Sequence, residues 1–400
     1  MSEPEAEPPD EQAVRFVGTG AEYFGIWIVN VCLIVLTLYL YAPWAKVRSE
    51  RYFATHARFD GIGADYHAQP RQLVVGSLVA LALMLFLVFG ELLGPTMAVI
   101  AFAVSVLGLP LLSAWAAARS RRFRAGMTGW RNVRFGFDGT PERFLHYRVI
   151  VPVWMSLGIF ASLGLADRIA GDDPRLFYGV IGVAGLIAIA LLPRYRARFA
   201  QYTASHYRFG DERFTARLSI ARVYLIHVRA LFSGALVVLG AIAIALAVDA
   251  LLGGRATQAV IDLFGALVRG RALDVGAMLT VLFLISLFLA LAAIPGSIVR
   301  EALMRVHVFE STRSPSLSLR SSLTPRALLW LRASNLLLVL FTLGLGWPWA
   351  RVRSARLMLQ TTSIRSKRPF DRLVETGRRA GAGLGDEVGD VLETDIGFGF

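Results

Sequence analysis

Long apolar runs, each close to twenty residues, recur over residues 24–43, 72–93, 95–118, 148–166, 177–193, 230–252, 273–295 and 328–347. A helix needs about 20 apolar residues to cross ~30 Å of hydrocarbon. The pattern therefore predicts an all-α polytopic membrane protein with about eight hydrophobic helices, six to eight of them crossing. Pro110 and Pro152 fall inside these runs. Membrane helices tolerate such prolines when neighbours re-satisfy the freed carbonyls. Small residues recur in "GVIGVAGLIAIA" (179–190) and "GALVVLGAIAIA" (234–245). They either bring helix backbones close together or simply fill apolar sequence.

The polar segments between the runs alternate in character. Residues 44–71, 119–147, 194–229 and 297–327 are long and Arg-rich, whereas the stretches near 94, 167–176 and 253–272 are shorter or nearly charge-balanced. The positive-inside rule places the first set in the cytoplasm. Within that set, "PWAKVRSERYFATHARF" (43–59) aligns with "PRYRARFAQYTASHYRF" (193–209), and "PWARVRSAR" (348–356) matches 43–51. Each copy reads as a hinge at the membrane interface. Proline stops a helix, and cations then sit at headgroup level. The expected hinge residues are Pro43, Trp44, Lys46 and Arg48, then Pro193 and Arg198, then Pro348, Trp349, Arg351 and Arg353. Pro295 with Arg300 keeps the same step.

An Arg-Phe pair followed by Gly and an acidic residue occurs at 15–24, 58–66, 134–144 and 208–214. In alternating context with an Asp-Gly or Gly-Asp corner, it predicts small β-hairpins in the basic cytoplasmic loops, capping the helical bundle. Putting both proline hinges and all these hairpins on one side conflicts with eight crossings, which would export both termini. Two readings stay open: eight crossings, or six crossings over residues 72–295 with re-entrant first and last segments. Asn30 lies in the first segment, and Arg332, Ser334 and Asn335 in the last.

At "LTLYLYAPWAKVRSERYF" (36–53) with "RFDG" (58–61), the chain resembles the YjgN family of bacterial inner-membrane proteins of unknown function. "FVGTGAEYFGIWIVN" (16–30) and "GLGDEVGDVLETDIGF" (383–398) are similar too. His56 stands where that family more often has Asn. The resemblance implies location and architecture, and brings no substrate, cofactor or catalytic residue with it.

Composition agrees: hydrophobic residues are 55% of 400, charged residues 18%, and mean hydropathy is +0.55. A soluble domain of this size cannot bury that much apolar surface. Net charge is +13, with Lys46 and Lys367 the only lysines among 42 cations. Because these cations flank the hydrophobic runs, the expected partner is anionic lipid headgroups rather than nucleic acid. No protein partner or oligomeric state is readable. The acidic start "MSEPEAEPPDEQAV" lacks the features of a cleaved signal, and the lone Cys32 excludes an intrachain disulfide. The chain divides into an N-terminal segment (1–23), a membrane region (24–350) and a basic-to-acidic tail (351–400).

The candidate chemistry is sparse. None of His56, His67, His146, His206, His227 and His307 pairs at a zinc spacing, and no nucleophile elbow, phosphate loop or dinucleotide loop occurs. The expectation is a protein without catalytic, metal or cofactor site. Asp172 with Asp173, and Asp386, Glu387 and Asp390, read as solvated charge. Few ionisable groups lie deep in the apolar runs, which disfavours ion-coupled transport. Arg332 reads as snorkelling, and Asn30 and Asn335 either line a path or bond one helix to another. The expected role is an uncoupled passage or carrier for a small or lipid-like solute. The other reading is a membrane-organising or partner-binding protein whose basic loops engage anionic lipid.

Overall fold

The computed structural model of the chain describes residues 10–377, apart from residue 172 and most positions between 252 and 274. Asp172, the start of the acidic N-terminal segment, and Asp386, Glu387 and Asp390 of the tail lie outside the described residues. Two compact units are present: residues 1–218, 306–322 and 333–400 form one, and residues 219–305 with 323–332 the other.

Among the described residues, six helices are long and apolar enough to cross a membrane: Arg71–Phe89, Pro95–Met127, Pro141–Ile169, Arg175–Ser205, Ile220–Leu251 and Ser286–Ser311. Large apolar side chains stand outward on them, such as Phe102 at 68% and Ile244 at 68% exposure. That pattern suits hydrocarbon as the solvent, not water. Two helices carry a π-turn just before their proline, Val104–Gly108 ahead of Pro110 and His146–Ile150 ahead of Pro152. The widened turn takes up the ring that would otherwise clash with the preceding carbonyl.

Among the described residues, the first unit carries thirteen short strands, paired antiparallel. They are β1 (Asp10–Ala13), β2 (Arg15–Phe16), β3 (Ala57–Phe59), β4 (Ile62–Gly63), β5 (Asp65–Tyr66), β6 (Thr128–Trp130), β7 (Val133–Phe137), β8 (Tyr207–Phe209), β9 (Glu212–Arg213), β10 (Thr215–Ala216), β11 (Thr312–Arg313), β12 (Leu317–Ser321) and β13 (Thr362–Ser366). They pair as β1-β13-β12-β11-β10, β2-β3-β4 and β5-β6-β7-β8-β9. Three single residues, Val14, Ala64 and Phe214, separate β1 from β2, β4 from β5 and β9 from β10. Read through these kinks, the three sheets run on into one another as a ring, the end strand of each continuing along the chain into the end strand of the next. Closure removes the exposed edges that short strands otherwise present.

A repeated bond marks the construction. The residue after each two-strand unit donates its backbone N–H to the carbonyl just before the next: Val17 to His56 (3.0 Å), His67 to Met127 (2.8 Å), Asp138 to His206 (2.9 Å), Arg217 to Ser311 (3.2 Å) and Ser322 to Thr361 (2.9 Å). Five helix–strand–strand–helix units therefore make the ring. Four are contiguous, and the fifth is assembled from β13 and the chain start, with Asp10↔Ser366 to Ala13↔Ser363 in register.

The ring decides the crossing count. Helix Gly20–Leu36 leaves from β2, and helix Ala42–His56 returns to β3, which pairs with β2 through Arg15↔Arg58. The turn between the two helices holds Leu38 at φ 48° and Tyr39 at φ 76°. Likewise Pro325–Phe341 leaves from β12 and Trp347–Gln360 returns to β13, through a turn with Leu343 at φ 49° and Gly344 at φ 93°. The first and last hydrophobic segments thus turn back, which counts against the eight-crossing reading and leaves six helices of membrane-crossing length among the described residues. Thr37 and Thr342 brace the two turns alike: each hydroxyl donates to the carbonyl four residues back and accepts the N–H of Tyr41 or Gly346.

The proline hinges also need correction. Pro43 and Pro348 do sit in the first turn of a new helix, where the missing N–H has no partner to lose. Pro193 lies inside Pro174–Ser205 and Pro295 inside Val275–Ser311, so neither stops a helix. Both helices run on to the strands of the ring.

Candidate functional site

Alternation along the strands turns Arg outward and Phe inward. Phe59, Phe135 and Phe209 of three Arg-Phe pairs line a cavity inside the ring, of about 480 Å³. Phe16 of the fourth pair instead packs with Tyr23, Tyr52 and Phe53. The three kink residues Val14, Ala64 and Phe214 also face the cavity, as bulged positions do when they re-aim a side chain. Trp130, Leu317, Leu319 and Ile364 complete the wall, and Thr203, Tyr207 and Thr312 are the hydroxyl-bearing residues among its lining. Every lining residue belongs to the first unit.

The two ends of the cavity differ. At one end stand the last turns of the helices that lead into the strands, through Thr203, Ala204, Val308 and Phe309. At the other, a helix from residue 370 to 377 drops Phe370 and Leu373 onto the apolar wall. Phe370 meets Phe59 edge-on at 4.9 Å, and Val374 and Leu373 are buried beside it. The hairpin tips lie here. Asp60 and Gly61 (φ 52° and 70°) and Arg131 and Asn132 (φ 51° and 64°) form two-residue turns with both φ positive, the type whose twist matches paired strands. Arg131 joins them: one nitrogen meets Asp60 at 2.6 Å, another meets Asp371 of the closing helix at 2.5 Å, and its guanidinium lies over Trp130 at 4.7 Å. Beside this clasp is an open depression of about 400 Å³ lined by Ile62, Arg131, Asp371, Val374 and Glu375. Trp130 is buried, and its indole N–H has no hydrogen-bond partner among the described residues.

The residues singled out in the sequence are not among those lining the cavity. Asn30 donates its Nδ2 to the Ala45 carbonyl (3.3 Å), and Asn335 donates to the Ala350 carbonyl and the Ser354 hydroxyl (both 3.1 Å). Both staple a hydrophobic helix to the hinge helix that follows it. Arg351 donates to the Tyr23 hydroxyl (2.9 Å), lies over Phe53 and faces Glu50 at 3.6 Å. Arg353 donates to Ser334 (2.8 Å). Trp349 stacks toward Phe24, and a Cβ on Gly20 would come within 2.1 Å of its ring. Trp44 packs on Tyr41. Lys46 is held below its usual pKa by burial and then by the Arg124 charge. Arg198, like Pro193, lies within the long helix that leads into β8. Arg332 pairs with Glu301 at 2.5 Å within the second unit, a partner the sequence did not nominate.

His56 and His206 do not converge on a shared site. Each bonds the carbonyl four residues back, Tyr52 at 2.8 Å and Tyr202 at 2.7 Å, and each packs on that tyrosine ring. Tyr52 reaches Thr19 and Glu22, and burial with the Glu22 bond pushes its pKa up to about 12. Asp173 caps the helix that follows it through the Arg175 N–H. Among the described residues, no three His, Cys, Asp or Glu side chains gather as metal ligands do.

The family model described as "Bacterial protein of unknown function (DUF898)" matches residues 11–391, almost the whole of this architecture. The chain belongs to this family. It is similar to the inner membrane protein YjgN of Salmonella typhimurium, 24% identical over 362 residues that make up 87% of each chain. The proteins of the same name from Escherichia coli O157:H7 and K12 are 25% and 26% identical over about half of each chain. No solved structure matches. With six membrane-length helices and these relatives, this DUF898 chain is a multi-pass inner-membrane protein. The interior of the ring was not legible as a site: its wall is drawn from six separate stretches of chain, and the local signal was the inward Phe of three of the four Arg-Phe pairs.

Proposed function

We propose that this inner-membrane protein binds an apolar, lipid-like molecule inside the strand ring and holds or passes it without ion coupling and without chemistry upon it. The observation that carries the reading is the cavity of about 480 Å³, walled by aromatic and aliphatic side chains. Its size falls in the range of roughly 300–1,000 Å³ found for small-molecule sites. The positive-inside bias assigns the ring to the cytoplasmic face, with its helix-end opening toward the bilayer. A membrane lipid or a solute dissolved in it could enter from that side. The test is native mass spectrometry of the protein released from lipid nanodiscs. A defined lipid-like species should accompany the wild type and be lost in Ala204→Phe, which fills the helix end of the cavity. If no adduct is found and an apolar fluorescent probe is not taken up either, the reading fails.

A second reading rests on a different observation. Arg15 stands opposite Arg58, and Arg208 opposite Arg213, on adjacent strands. Like charges facing each other destabilise a sheet unless an anion sits between them. That favours an outer surface of the ring that engages anionic headgroups. Binding of the protein in neutral nanodiscs to added anionic vesicles, weakened by salt and by Arg15→Gln with Arg58→Gln, tests it.

A further inference from the structure

We infer that the ligand of the ring is a single-chain amphiphile with an anionic head, its chain in the cavity and its head at the Trp130–Arg131 corner, where it takes the place of Asp371. This rests on the proposed binding of a lipid-like molecule and specifies its class. Three features of the mouth converge on it. The cavity suits one chain: a methylene group fills about the volume of a water molecule, roughly 30 Å³, so about 480 Å³ accommodates a single acyl chain rather than a two-chain lipid. Its rim holds a cation already engaged by carboxylates, with Arg131 at 2.5 Å from Asp371 and 2.6 Å from Asp60. The two carboxylates are not equivalent. Asp60 is part of the ring, in the turn between β3 and β4, whereas Asp371 is 89% exposed on the closing helix. A ligand carboxylate offers an oxygen to the same Arg131 nitrogen that Asp371 Oδ1 now holds.

The third feature is the Trp130 indole N–H, a buried donor on a residue that lines the cavity, with no hydrogen-bond partner among the described residues. A buried donor left unpaired is costly. An acceptor on the ligand head beside Arg131 satisfies it. The closing helix then acts as the occupant's competitor: Phe370 and Leu373 cover the apolar wall while Asp371 occupies the cation. The depression beside the clasp, between Ile62 and Glu375, gives the head a route to the cytoplasmic solvent.

Photo-crosslinking of the full chain in nanodiscs tests the inference, using a diazirine-bearing long-chain fatty acid and the fatty alcohol of the same length, with labelled sites mapped by mass spectrometry. The acid should label the ring interior at concentrations about tenfold or more below the alcohol, the effect expected of one charge-assisted hydrogen bond. Arg131→Gln should remove that preference while leaving alcohol labelling in place, which also shows that the ring is still formed. Trp130→Phe should reduce it. Asp371→Asn, which leaves Arg131 intact, should raise acid labelling severalfold. Equal labelling by acid and alcohol, unchanged in Arg131→Gln, overturns the anionic head and leaves the apolar site standing. No labelling of the interior by either probe overturns both.

Discussion

Replacing Leu373 by Ala tests what holds the closing helix on the ring. Leu373 is 4% exposed and packs against Phe370 and the wall of the cavity. Leu→Ala substitutions in packed cores cost about 2–5 kcal/mol. Because part of the Leu373 surface borders empty cavity, fewer contacts are lost than in a filled core, so the lower half applies, about 2–3 kcal/mol. The strand pairing of the ring does not involve residues 370–377, so the cost falls on local opening of this helix rather than on the unit as a whole. Opening should become about 30–150 times more frequent. Hydrogen–deuterium exchange of the full chain in nanodiscs reads this directly: protection over residues 370–377 should fall by that factor, with the strands at 128–137 and 207–209 unchanged. Asp371→Asn is the control. Its ion pair is mostly solvent-exposed, and such pairs contribute about 1 kcal/mol or less, so protection should fall no more than about fivefold. If Leu373→Ala leaves protection within twofold of wild type, or if Asp371→Asn has the larger effect, the helix is not held by apolar contact with the ring.

Three further outcomes are expected. Reporters of side fused to the two termini should both report the cytoplasm, since the first and last hydrophobic segments return to the ring; an exported terminus refutes this. Gly234→Leu should prevent the close approach of helices within the second unit, because even a Cβ at Gly234 would lie 2.4 Å from the Ala292 carbonyl oxygen; thermal stability in detergent should drop, while Gly240→Leu, in open space, should not change it. Glu11 sits at the β1–β13 seam with its pKa lowered by the Arg365 bond first and the Ser363 bond next. A lowered carboxylate stabilises the fold above its ordinary pKa, and that contribution is lost as pH falls through the folded-state value. Protection over residues 10–13 and 363–366, taken relative to the intrinsic exchange rate at each pH, should therefore fall as pH drops below the ordinary carboxylate range in wild type, with a smaller pH response in Glu11→Gln.

The local signals that could be read in advance were those made by neighbours in sequence. Membrane-length helices announce themselves by apolar run length, and Asp60-Gly61 announces its own turn. The 312–321 and 128–133 strands carried no Arg-Phe signature and were missed, although Arg131-Asn132 forms the same kind of turn as Asp60-Gly61. The asparagines were read as interesting because they are polar in apolar runs. That they bond carbonyls fifteen residues on, in two matching places, needed the chain to fold back. The clasp on Arg131 was invisible, since its partners lie 71 and 240 residues away.

Hydropathy alone settled that this chain lives in a bilayer, because transfer of twenty apolar residues from water depends on composition and not on what they touch. Its arginines set the expectation of which loops face the cytoplasm. Only the tertiary structure decided that the first and last hydrophobic segments return, leaving six helices of membrane-crossing length among the described residues, that strands of two to five residues join into a ring, and that the ring encloses a cavity. Strands so short are unstable alone, and each gains its place from the strands it pairs with. The closing pair joins residues 10–13 to 363–366 across nearly the whole chain, a contact whose energy no local stretch of sequence contains.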